Sequence, residues 1–459
     1  MKQLLLFVSA ALAAVVLTPK SASLDQAILS VDEPHHEVES SAPGWWDSVT
    51  NDERFHALAN SLENAGDAIS HVLFDDDDHH DHDHDHDHDK PRHPGHGHDG
   101  HHHHGDASKT IYDQLKESKY TTRFAALVDE HSDIKGLLQS TKTNRTLFVP
   151  TDKAFERIPP DHEKPPAEFI RAVLAYSIAP GLWSSRRLFF SHTTPTELKL
   201  DDLGGYPQRL RISAGVLSGL RINLFTRVIA KDIIAKNGLI HAVDHILVPP
   251  PSTSKIIQLL PNTFSTFSLG LTTTGLGEEI SELKWLGGTA FVPTNRAFTR
   301  LGPRANAFLF SERGKKYLKA LLKYSLVANE TLYSDAYYKS GGDDDDEDAT
   351  KPGGSGYWHV DLPSLLDDKP ISVDVKRWKG FIDIVANGYT HVALQDVIGE
   401  DGVLQVVNSV LFPPRRPGHH HGEEESDDDD REWSVEELVE RLEGYVQESA
   451  LSRLAVNDL

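Results

Sequence analysis

The sequence predicts a mixed α+β protein built from two tandem modules, and three ordered repeats carry that expectation. The stretch Thr146-Leu-Phe-Val-Pro-Thr-Asp-Lys-Ala-Phe155 returns as Thr289-Ala-Phe-Val-Pro-Thr-Asn-Arg-Ala-Phe298. Tyr176-Ser177, after a helical run, returns as Tyr324-Ser325. Asn237-Gly-Leu-Ile-His-Ala-Val-Asp244 returns as Asp401-Gly-Val-Leu-Gln-Val-Val-Asn408, and each copy then closes on a proline pair, Pro249-Pro250 and Pro413-Pro414. The tyrosine stands 61 residues before the Asn/Asp-Gly in the first copy and 77 in the second; the Asp/Gly/Pro-rich run 341–356 supplies the 16-residue difference.

Each block has a local physical reading. Leu147-Phe148-Val149 is an apolar run stopped by Pro150, and Thr151 with Asp152 can cap a turn of helix that buries Ala154 and Phe155. Phe169, Ile170, Val173, Leu174 and Tyr176 recur at helical spacing between Pro165-Pro166 and Pro180-Gly181, a one-sided stripe that packs on a sheet. Asn237-Gly238 predicts a type I′ turn joining a first arm, Arg227–Ile234, to the apolar, β-branched run that ends at Pro249. Each module is therefore a β core of hairpins with packed helices.

Taken in order, twice, these blocks resemble the fasciclin-like domains of adhesion and cell-surface proteins, over roughly Ser108 to Pro414. The resemblance implies adhesion or matrix-like interaction rather than chemistry. In adhesive members a histidine usually follows the middle-block tyrosine in a motif linked to receptor contact; Ser177 and Ser325 stand there in this chain, a departure from integrin-type binding. A tandem pair with a leader and a His/Asp-rich insertion is similar to soluble fungal proteins placed in the vacuole or secreted to the wall.

At 459 residues the chain exceeds what one core usually supports. The organisation expected is a signal peptide (1–23), an N-terminal extension with an amphipathic helix (24–74), a disordered His/Asp-rich tract (75–107), and module 1 (108–250). Module 2 (252–414, with the acidic insertion 341–356), an acidic linker (415–432) and a C-terminal amphipathic helix (433–459) follow. The modules are expected to fold independently, because Pro249-Pro-Pro251 marks a natural boundary. The formal charge of −24 is localised: −8 in 75–104, −6 in 343–348 and −7 in 423–430 leave the rest near −3. No basic stripe tracks a phosphate backbone, which argues against nucleic acid as a partner.

Met1-Lys2, the apolar run Leu4–Leu17 and small residues at Ser21-Ala-Ser23 read as a signal peptide, too short to span a bilayer, so no stable membrane insertion is expected after cleavage. Absence of cysteine leaves each module to be held by its core. Asn144 and Asn329 begin Asn-x-Thr sequons and are the expected N-glycan sites. Phe55, Leu58, Leu62, Ala65, Ile69 and Val72 make one helical stripe, and a capping box at Ser434–Glu437 opens another. Each helix either docks on its neighbouring module or offers a surface to another chain.

The tract carries His79, His80, His82, His84, His86, His88, His101, His102, His103 and His104 among aspartates. It has almost nothing to bury, so disorder is expected. Neutral imidazoles there are ligands for zinc, nickel or copper, against the alternative of a charged spacer with no geometry to select a metal. No cofactor is otherwise expected. There is no cysteine nucleophile, His-Glu-x-x-His helix, phosphate-cradling loop or Gly-x-Ser-x-Gly elbow. His241 lies in an apolar strand and reads as a backbone-bonded core histidine rather than a ligand or base, because its repeat partner Gln405 cannot titrate. The function expected is a non-enzymatic interaction protein of the secretory pathway, in the vacuole or alternatively at the cell exterior or wall. Its partners would be proteins or cell-wall glycans; the alternatives are a metal buffer acting through the tract and a hydrolase with an unrecognised site.

Overall fold

The computed structural model describes residues 105–157, 165–215, 219–282, 285–339, 356–366, 369–378, 381–414 and 432–456, with side chains of the last helix through Val446. The signal peptide, the N-terminal helix, the histidines of the tract, the insertion before Gly356 and the linker through Arg431 lie outside the described residues.

Module 1 contains β1 (Arg145–Pro150), β2 (Ile178–Pro180), β3 (Thr193–Lys199), β4 (Pro207–Gly215), β5 (Gly219–Ile222), β6 (Thr226–Ala235) and β7 (Gly238–Val243). They form one sheet in the order β2-β1-β7-β6-β5-β4-β3. Module 2 contains β8 (Gly288–Pro293), β9 (Leu326–Ala328), β10 (Glu330–Leu332), β11 (Tyr337–Lys339), β12 (Gly356–Pro363), β13 (Pro370–Trp378), β14 (Phe381–Ala386), β15 (Thr390–Gly399) and β16 (Gly402–Val407). Its main sheet runs β12-β13-β14-β15-β16-β8-β9, and β10 pairs with β11 separately. The Val-Pro-Thr strand and the closing strand are parallel neighbours in both modules, β1 with β7 and β8 with β16. Such strands are covered on both faces, which is why Leu147, Phe148 and Val149 form an unbroken apolar run and are all fully buried. Helices Ile111–Glu117, Thr122–Glu130 and Ala167–Tyr176 place Leu115, Phe124 and Leu174 in the same core.

Two expectations are corrected. Lys236 and Asn237 do join β6 to β7, but neither has a positive φ, so the turn is not type I′. Asn237 instead accepts from Ile111 N (2.8 Å) and donates to Leu138 O and Ser140 O (both 2.8 Å), tying the opening helices to the last strand. Gly238 is required by close approach: a Cβ there would collide with the Arg145 carbonyl on β1. Tandem positive-φ residues lie elsewhere, at Gly204-Gly205, Asn223-Leu224 and Asn387-Gly388. Next, Asp152 does not cap its own helix; its carboxylate accepts from Thr122 N (3.1 Å) and Arg123 N (2.9 Å), and Phe155 is only half-buried whereas Phe298 is buried.

The boundary at Pro249-Pro-Pro251 does not separate the modules in space, because they share an interface. Arg209 on β4, 3% exposed, lies 3.6 Å from Asp335 of module 2, 8% exposed. Arg209 also donates to the hydroxyls of Thr193 (2.6 Å) and Tyr338 (3.0 Å), while Asp335 accepts from His192 N (3.0 Å) and Thr193 N (2.8 Å). Gln208 donates to Gly399 O and Arg211 to Gln395 O (both 2.9 Å), and the Tyr206 and Tyr338 rings stack at 4.6 Å. The helix Val435–Val456 closes module 2, with Leu438 and Leu442 in its core and Trp433 stacked on Phe412 at 4.2 Å. Its capping box forms, with Ser434 N donating to Glu437 (2.9 Å) and Glu437 N to Ser434 Oγ (3.1 Å).

Candidate functional site

The polar residues repeated between the modules are held in matching structural roles. Asp232 sits at φ 57° in a bulge of β6, where its carboxylate takes the backbone N–H of Ser185 (2.7 Å) and the Ser185 hydroxyl. His241 Nδ1 accepts from Asp232 N (3.2 Å), so its Nε2–H donates to Trp183 O (2.8 Å). In module 2, Asp396 sits at φ 58° and takes Ser334 N (2.8 Å) and the Ser334 hydroxyl. Gln405 Oε1 accepts from Asp396 N (3.2 Å) and its Nε2 donates to Leu332 O (2.8 Å). A serine, an aspartate and a histidine thus come together in module 1, yet a glutamine does the histidine's work in module 2. The His241 ring needs one donor and one acceptor, and burial holds its pKa below the ordinary value, so the neutral form is the one the site uses.

The middle block is spoken for in the same way. Tyr176 donates to Arg209 O (3.0 Å) and accepts from Asn223 Nδ2 (2.9 Å), fixing the left-handed turn residue; Tyr324 donates to Pro370 O (3.0 Å) and accepts from Asn387 Nδ2 (2.9 Å). Ser177 and Ser325 are buried and donate back to Val173 O (2.9 Å) and Leu321 O (3.1 Å), so neither reaches a partner molecule.

Asn144 and Asn329 are exposed, whereas Thr146 and Thr331 of the two sequons are buried. Thr146 Oγ1 donates to Gly181 O and accepts from Trp183 N (both 2.9 Å), and Thr331 Oγ1 accepts from Gly288 N (3.0 Å). Among the described residues no group of three or more His, Asp or Glu could hold a metal. His79, His80, His82, His84, His86, His88 and His101–His104 lie outside them.

The residues that remain lie on the outward face of β12, β13 and β14. Cross-strand register places Tyr357 opposite Lys376 and Lys376 opposite Asp383, with Trp378 opposite Phe381 and His359 opposite Asp374 in the adjoining rows. Tyr357, Trp378 and Phe381 are 64%, 56% and 65% exposed, and the last two rings stack at 6.4 Å. Asp374 takes the Tyr357 hydroxyl and His359 Nδ1 (2.7 Å), contacts that lower its pKa and raise that of His359. His391 bonds Asp383 at 3.0 Å beside them. None of these residues was singled out from sequence. The available signal was the period-2 alternation of Tyr357, His359 and Asp361 with Trp358, Val360 and Leu362.

The fasciclin domain matches residues 119–249 and 262–413. The chain belongs to the fasciclin-domain family. Among proteins similar to it, the aurofusarin biosynthesis cluster protein S of Gibberella zeae is 32% identical over 363 residues, covering 75% of this chain and 88% of that protein. Stabilin-2 of Rattus norvegicus is 25% identical over 239 residues, covering 49% of this chain and 16% of that one. A solved FAS1 domain pair from the insect cell adhesion molecule fasciclin I covers 63% of this chain and 96% of its own, with 17% identity and a TM-score of 0.32. Fasciclin domains are associated with adhesion and interaction proteins and are generally non-enzymatic. No helix among the described residues is long and apolar enough to cross a membrane.

Proposed function

We propose that this fasciclin protein is a non-enzymatic interaction protein of the secretory route, placed in the vacuole or at the cell exterior, with N-glycans on Asn144 and Asn329. One observation carries the interaction role. The outward face of β4 in module 1 already docks against module 2 through Arg209 and Arg211, while on the corresponding face of β13 and its neighbour β14 the Trp378 and Phe381 rings are more than half exposed. The correspondence is set by Tyr176 and Tyr324, whose hydroxyls donate to Arg209 O and Pro370 O. Imaging of the tagged native protein, with affinity purification through the same tag, tests the reading. Retention in the secretory route with a reproducible partner supports it; a diffuse cytoplasmic signal without glycan overturns it.

The similarity to a biosynthesis cluster protein along most of both chains favours a variant of this role, in which the modules assemble with enzymes of such a cluster. Copurifying cluster enzymes would distinguish it. A second reading rests on the thirteen histidines and ten aspartates of 75–104, which would buffer zinc, nickel or copper. With imidazole pKa values near 6.5, acidification would charge the histidines and release metal. Zinc affinity of the tract should therefore fall between pH 7.4 and pH 5.5; equal affinity at both, or none at either, leaves a charged spacer.

A further inference from the structure

We propose that the outward face of β12, β13 and β14 binds a neutral, β-linked polysaccharide chain, a partner assignment that rests on the interaction role above. The rings of Tyr357, Trp378 and Phe381 stand on one side of a sheet, each more than half exposed. Charged side chains stand directly beside them. Lys376 lies opposite Tyr357 and next to Trp378 on the same face, and Asp383 follows it across the next strand. A protein-docking surface concentrates apolar residues at its centre and moves charge to the rim. Here a stacked aromatic pair lies beside a row in which Tyr357, Lys376 and Asp383 stand side by side, which suits a ligand that presents apolar faces and polar edges together.

A β-linked pyranose chain is such a ligand. Its ring faces present C–H bonds polarised by neighbouring oxygens, and these are drawn to the negative face of an aromatic ring. Its edges present hydroxyls, each able to donate and accept. The face answers both needs. Asp374 is held by the Tyr357 hydroxyl and by His359, and Asp383 by His391, so both carboxylates are oriented and keep acceptor capacity for hydroxyl donors. Lys376 adds a donor between them. With Asp361, the face carries three carboxylates against one ammonium and two imidazoles, a balance that disfavours polyanionic chains and calls for no strongly charged partner. The three strands set a platform about 10 Å across from centre to centre, wide enough for a flat ribbon laid over the rings.

Its counterpart in module 1 binds differently, and the substitutions explain why. Arg209 and Arg211, which seat module 1 on module 2, correspond to Pro370 and Ser372, and the arginine charge is gone. That face therefore cannot accept a second copy of module 2 in the same manner, while β12 to β14 carry the exposed rings Tyr357, Trp378 and Phe381 instead.

The test uses the full chain, with Trp378→Ala/Phe381→Ala and Tyr357→Ala variants, incubated with insoluble chitin, β-1,3-glucan and cellulose and, separately, with an immobilised lysine-rich peptide. Thermal melts check that the variants fold; their sites are exposed, so melting should be unchanged. Wild type should be depleted by at least one neutral polysaccharide, and loss of the stacked pair should weaken that binding about tenfold, the scale of an aromatic stacking contribution. Depletion that is equal in the variants overturns the proposal, as does retention of wild type by none of the three. Capture by the peptide alone, lost in the variants, reassigns the face to a basic protein. Each of these failures leaves the native copurification standing as the separate test of the interaction role.

Discussion

At the scale of single residues, His241 shows how a group that looks chemical is held to a structural task. It bridges Asp232 N and Trp183 O, and Gln405 bridges the equivalent pair in the other module. His241→Gln should therefore retain most stability, whereas His241→Leu leaves two backbone groups unpaired at about 1–3 kcal/mol each. Denaturant titration of the two variants decides the point, and comparable losses would refute the equivalence. The ring also has a pH signature. Its folded pKa is depressed by burial, so its contribution is complete above the unfolded value near 6.5 and is lost as pH falls through that value toward the folded one. His241→Gln should flatten that part of the stability curve. The phenylalanines of the first block make a second contrast. Phe298→Ala should cost about 3–5 kcal/mol, as for a fully buried ring, and Phe155→Ala distinctly less because that ring is half-buried. The repeat made the two positions look alike; only the packing of each module separates them.

At the scale of elements, much of the fold was legible because local chemistry and tertiary role agreed. The apolar run before Pro150 is a central strand, the stripe from Phe169 to Tyr176 is a helix, and the arm Arg227–Ile234 pairs with the closing strand. Asn237-Gly238 was misread because a turn propensity and a packing constraint select the same residues. Gly238 lies against the Arg145 carbonyl of a strand far away in sequence, a contact that no local pattern contains. Gly238→Ala should therefore destabilise by at least about 1–3 kcal/mol through overpacking, although its φ is not in the left-handed region. Gly136, in the helix Ser132–Gln139 with open space around its Cα, supplies the control. Gly136→Ala should stabilise by about 0.5–1 kcal/mol. Equal effects of the two alanines would show that backbone entropy, not the approach of β1 to β7, governs the position. The outward face of β12 to β14 was overlooked for a related reason: alternation predicts a strand, but which side stays open depends on where the neighbouring module sits.

At the scale of the whole molecule, the repeat suggested two separable bodies, and the interface joins them. The face of β4 would expose Arg209, Arg211 and Tyr206 in an isolated module 1, and in the intact chain it is closed by β11, β15 and the loop carrying Asp335. Arg209 is nearly inaccessible and its one carboxylate partner shown is Asp335, so removing that partner leaves a buried guanidinium with no carboxylate beside it, supported by the hydroxyls of Thr193 and Tyr338 and the faces of the Tyr333 and Tyr338 rings. Losing one member of a buried pair costs about 3–5 kcal/mol. Asp335 also takes the backbone N–H groups of His192 and Thr193, so its loss loosens the start of β3 at the same time. Calorimetry of the full chain should show one transition for the wild type, and Asp335→Ala should split it, with module 1 melting first because its outward face is the one uncovered. The variant Arg209→Leu/Asp335→Leu removes both charges and should recover part of the loss, since a buried pair replaced by apolar groups is often close to neutral. Two transitions already present in the wild type would mean that the modules unfold separately despite the buried pair, and that the interface orients them without coupling their stability.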